Sequence, residues 1–77
     1  MHVFKVNLQS IDDVKAFVHL VNEYPYEIDL AAGRYIVDAK SIMGIFSLDL
    51  TVPVDVHIHS EEADDLIEKL QPFIEED

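Results

Sequence analysis

Lys40-Ser41-Ile42-Met43-Gly44-Ile45-Phe46-Ser47-Leu48-Asp49-Leu50 is the stretch on which the reading of this chain turns. Ser41 precedes an apolar run and has the side chain of a helix N-cap, so one or two helical turns are expected after it. Five apolar residues, Ile42, Met43, Ile45, Phe46 and Leu48, are too many for so short a helix to bury on one side. Some are therefore expected at the surface, where Met and Phe together commonly mark a binding site.

On both sides of this helix the pattern changes to period two, the spacing of a strand with one buried face. Residues 35–38 form a short strand before it. After it, Pro53 opens another in which Val54, Val56 and Ile58 face in and Asp55, His57 and His59 face out. Further upstream, Tyr26, Ile28 and Leu30 alternate with Glu27 and Asp29, and Ala31-Ala32-Gly33-Arg34 supplies a turn. At the N-terminal end residues 1–8 alternate, with His2, Phe4, Val6 and Leu8 on one side.

Two further helices complete the pattern. Ser10 is placed as an N-cap, with Asp12 and Asp13 in the first turn and Asp13 at the capping-box spacing. Ile11, Val14, Phe17, Val18 and Val21 follow as an apolar stripe, and Pro25 closes the region. Ser60 is expected to cap a last helix, with Glu61 and Glu62 at its positive end. Ala63, Leu66, Ile67, Leu70 and Ile74 form its stripe, and Pro72 ends or kinks it. The order β-α-β-β-α-β-α implies an α+β fold. It is a two-layer open-faced sandwich, with a four-stranded antiparallel sheet and helices on one face.

The chain has 77 residues, which predicts a single domain over 1–77. With no cysteine, neither a disulfide framework nor a thiolate metal site is available. Sixteen acidic against five basic residues give a net charge of −11. That excess argues against nucleic acid and anionic membrane as partners, since both are bound by positive charge. No apolar run has the length of a bilayer span and no signal-peptide pattern opens the chain, so a soluble cytoplasmic protein is expected. No nucleophile–base pair and no phosphate-cradling glycine loop is present, so no enzyme activity and no cofactor are expected.

The run Lys40-Ser41-Ile42-Met43-Gly44 closely resembles the regulatory-serine segment of the HPr family, the phosphocarriers of the bacterial sugar phosphotransferase system. The element order resembles that family too, over nearly the whole chain. The resemblance implies a sheet in which the fourth strand lies between the first and second. It also implies that Ser41 is the target of an ATP-dependent HPr kinase, after which the protein binds a transcriptional regulator. Residues matching Ile42, Met43 and Phe46 dock partners in the family, so phosphotransferase-system proteins are further expected partners.

The other half of the family signature departs. HPr-like carriers present a histidine, then arginine and proline, at the start of the first helix, where this chain reads Gln9-Ser10-Ile11-Asp12-Asp13. The connection before that helix looks shortened, and the interval from Gly33 to Lys40 looks one residue long. On this alignment Ser10 stands near the histidine position, and Asp12 and Asp13 where arginine and proline would be. Two unit charges about 6 Å apart at an effective dielectric of about 20 repel by about 3 kcal/mol before salt screening, so each aspartate opposes a phosphate there. A non-catalytic regulatory or interaction module is therefore expected. Two other readings remain. One is a carrier using a non-standard acceptor such as Ser10 or another histidine. The other is a metal- or pH-responsive module built on His57 and His59 with neighbouring carboxylates. His19 reads as a solvated helix residue and His2 as a frayed terminal one.

Overall fold

Alternation of buried and exposed side chains produces a four-stranded antiparallel sheet in this computed structural model, which describes residues 1–75. The strands are β1 (His2–Val6), β2 (Ile28–Ala32), β3 (Tyr35–Asp38) and β4 (Val54–Ile58), in the spatial order β1-β4-β2-β3. The fourth strand thus lies between the first and second, as expected. The register pairs Phe4 with Val56 and Val56 with Leu30, so one row of apolar residues crosses three strands.

Helices α1 (Ile11–Asn22), α2 (Ile42–Phe46) and α3 (Asp64–Lys69) supply the second layer, and a 3-10 turn follows at Gln71–Phe73. Val6, Ile28, Leu30, Val54, Val56 and Ile58 of the sheet meet Val14, Phe17 and Val21 of α1, Ile45 of α2, and Leu66 of α3. Burying each such side chain contributes about 1.5–3 kcal/mol, the main stabilisation available to so small a core. Phe17 is fully buried, and its ring meets the edge of Phe73 at 6.0 Å.

Several local expectations are corrected. Ala31 and Ala32 belong to β2, and the hairpin loop is only Gly33-Arg34, where Gly33 takes φ 59° without strain. Tyr26 and Glu27 precede the strand: Tyr26 stacks on Tyr24 at 5.8 Å, and the Glu27 carbonyl accepts the His59 N–H at 2.8 Å. Ser60 does not cap α3: its hydroxyl accepts from Glu62 N–H in a local turn, and the helix starts after Ala63 with no side-chain cap. Ile11 is 62% exposed, one turn beyond the point where the α1 stripe reaches the core. Ile74 leaves the helical path and forms an antiparallel bridge with Val6, so the tail pairs with β1. His2 is part of β1, its ring nitrogen 3.0 Å from the Glu61 carbonyl.

Candidate functional site

The start of α1 is closed by its own side chains. Ser10 is extended (φ −139°, ψ 165°), and its Oγ accepts the Asp13 N–H at 3.0 Å. Asp13 Oδ2 in turn accepts the Gln9 N–H at 3.1 Å. This is the reciprocal arrangement expected from the spacing, shifted by one residue, since a capping box would return to Ser10. With Asp12 also in the first turn, two carboxylates already answer the positive end of the helix dipole.

α2 begins differently. Ser41 is again extended, and its Oγ accepts the Gly44 N–H at 3.2 Å, but no acidic residue lies in the first turn. Gly44 sets the helix close to the sheet, because a Cβ there would stand 3.4 Å from Val37 Cβ. Lys40, next to Ser41, is committed elsewhere: its Nζ donates to the Tyr24 carbonyl at 2.6 Å, while Asn22 Nδ2 bonds the Lys40 carbonyl at 3.3 Å. The end of α1 therefore holds the start of α2.

The five-residue α2 buries Ile45 and leaves Ile42 half-buried, Phe46 exposed and Met43 78% exposed. Phe46, the last residue of α2, faces the start of α1. It lines a groove of about 450 Å³ with Ser10, Ile11, Leu50 and Thr51. Ser41 is outside this groove, and Asp13 faces a separate hollow beside Phe73 and Ile74. The structure thus brings Ser10 and Phe46 together and leaves Ser41 and Asp13 apart.

The sequence reading missed Ile11, Leu50 and Thr51 as surface residues of the groove. Ile11 sits at the first helical position, where stripe periodicity is least informative. Thr51 is held by Asp49, whose Oδ1 accepts both its hydroxyl at 2.5 Å and its N–H at 3.0 Å. These bonds, the hydroxyl first, hold the Asp49 carboxyl below its ordinary value.

On the opposite sheet face His57 lies in β4, whereas His59, expected on the same strand, follows its end at Ile58. His59 Nε2 lies 2.8 Å from Asp29 Oδ2, and His57 stands across from Asp29 in the β2–β4 register. Among the described residues, no group of three or more His, Cys, Asp or Glu side chains is placed to hold a metal ion. Lys5 and Asp55 form a neighbouring ion pair at 3.0 Å.

Comparison with known proteins agrees with this architecture. A family model described as the PTS HPr component phosphorylation site matches residues 13–76. The chain belongs to the HPr family. Members are phosphocarriers of the phosphotransferase system rather than enzymes, and they act with its protein components. HPr-C-His from Thermoanaerobacter tengcongensis superposes with a TM-score of 0.75 at 22% identity, over 94% of this chain and 89% of that one. HPr from Bacillus anthracis gives 0.71 at 23% identity, over 96% and 94%. Crh, a catabolite repression protein of Bacillus subtilis, gives 0.64 at 30% identity over 87% and 78%; its crystal structure is an intertwined, domain-swapped dimer. No curated protein sequence matches the chain. The HPr match begins at Asp13, so Ser10 and Asp12 precede it. Among the described residues no helix is long and apolar enough to cross a membrane.

Proposed function

We propose that this HPr-family chain is a regulatory, protein-binding module that does not carry phosphate on histidine. The whole chain acts as one domain, docks partners through Ile42, Met43 and Phe46, and is controlled by phosphorylation of Ser41. The observation that carries this reading is the closed start of α1. Ser10 takes up the Asp13 N–H and Asp13 the Gln9 N–H, and Asp12 and Asp13 supply negative charge where a carrier needs positive.

The contrast at α2 supports the second half of the reading. Ser41 is exposed, and the first turn behind it has no carboxylate to oppose a phosphate. Crh supports the direction, as a family member whose name ties it to catabolite repression. The partners that fit are an HPr kinase, a transcriptional regulator and phosphotransferase-system proteins, in the cytoplasm of a bacterium.

Two labelling reactions test this. With phosphoenolpyruvate and enzyme I, the chain should take up no acid-labile phosphate. With ATP and an HPr kinase, it should take up one phosphate that Ser41→Ala abolishes. Transfer to Ser10 or to any histidine in the first reaction would replace this reading with that of a carrier using an unusual acceptor.

A further inference from the structure

The two edges of the sheet are finished differently. Along β1 the tail occupies part of the edge: Asn7 N–H donates to the Phe73 carbonyl at 2.7 Å, and Glu75 N–H to the Lys5 carbonyl at 2.9 Å. Along β3 no strand of the described residues pairs on the outer side. Natural edge strands carry lysine, proline or a bulge to discourage pairing with another chain. Tyr35-Ile36-Val37-Asp38 carries none of these, and Tyr35 and Ile36 are 71% and 68% exposed.

The hairpin determines which backbone groups face outward. Its two-residue loop closes on the pair Ala32–Tyr35, and Ala39 N–H donates to the Ile28 carbonyl at 2.9 Å. Residues 35, 37 and 39 therefore bond to β2, and residues 34, 36 and 38 turn their N–H and C=O groups to the open edge. An antiparallel partner must set its own outward residues opposite these. If the partner is a second copy and the two-fold axis passes through Ile36, then Ile36 meets Ile36, and Arg34 of each copy meets Asp38 of the other. Arg34 makes no ion pair among the described residues.

Charge also favours a second copy at this place. On a chain of net charge −11 with five basic residues, two of the five, Arg34 and Lys40, flank β3. Within β3 and its loop, one positive and one negative side chain, Arg34 and Asp38, lie two positions either side of Ile36.

We propose that the β3 edge is a self-association surface, pairing antiparallel with β3 of a second copy about Ile36 to join two four-stranded sheets into one. The contact is shorter than a standard interface of about 1,200–2,000 Å², so the dimer is weak and depends on concentration. It uses the free strand edge rather than Ile42, Met43 or Phe46, so it stands apart from the function proposed above.

Sedimentation equilibrium of the whole chain and of Arg34→Asp and Asp38→Arg, alone and mixed, tests the pairing. The wild type should dimerise reversibly. Each variant alone should associate at least about tenfold more weakly, because two attractive pairs become repulsive. The equimolar mixture should dimerise again, since one copy then presents only aspartate and the other only arginine. Asp38 Oδ1 also accepts the Lys40 N–H at 2.9 Å, so folding of that variant is checked by circular dichroism. Independently of any variant, the Ile36 amide should exchange more slowly as wild-type concentration rises. A wild type that stays monomeric, a mixture that fails to associate, or an Ile36 amide indifferent to concentration overturns the proposal.

Discussion

Ser10 and Ser41 make the same bond to the third residue of their helices, yet they stand in opposite electrostatic settings. Loss of either hydroxyl leaves an orphan N–H, so Ser10→Ala and Ser41→Ala should each lower stability by about 1 kcal/mol in urea unfolding. They should differ in consequence. Ser41→Ala removes the acceptor of the proposed phosphate, whereas Ser10→Ala leaves kinase labelling unchanged. Asp49 offers a separate test by titration. Its carboxyl is held below the ordinary value of 3.8 by the Thr51 hydroxyl and N–H. A depressed folded-state pKa gives stability that is present above the ordinary value and lost as pH falls through the lower one. Thr51→Val removes the hydroxyl bond, so the Asp49 carboxyl carbon should titrate at higher pH by NMR, closer to its ordinary value.

Elements that bury one face in regular alternation were plain in the sequence. In β4, Val54, Val56 and Ile58 are buried and Asp55 and His57 are not, because the strand is central and its second face meets solvent. The same reasoning makes Phe17, in the middle of α1, the most costly truncation. Phe17→Ala should lower unfolding free energy by about 3–5 kcal/mol in urea or guanidinium titration, since it empties a fully buried site and strands the Phe73 ring. Element ends were less legible. Ser60 has the side chain of a cap but spends it on Glu62 N–H, and Ala63 goes fully into the core. Ile74 keeps the helical spacing of Leu66 and Leu70, yet Pro72 turns the chain so that Ile74 meets Val6. The candidate site was legible by halves. Each helix start could be read from its own cap and charges, whereas the groove joining Ser10, Ile11 and Phe46 arises from packing between segments far apart in sequence.

At the scale of the whole molecule, a net charge of −11 within a radius of gyration of 11.1 Å places many like charges within about one Debye length of each other at physiological salt. Self-repulsion of this kind opposes the compact state and is screened by ions. The melting temperature should therefore rise as sodium chloride is increased from low to moderate concentration. A flat or falling curve would mean that repulsion among the carboxylates does not limit stability. The sheet order has one more consequence, for the sequence of events during synthesis. Lys5 leaves the ribosome before its partner Asp55, which follows 50 positions later, and Phe73 and Glu75, which bond Asn7 and Lys5, come later still. Until they emerge, β1 has no neighbour to bond. The β2–β3 hairpin and α2 can form locally in the meantime, because their partners are close along the chain. Growth of the nascent chain thus orders assembly from the middle outward, and the first of these four strands to be made is among the last to be locked in place.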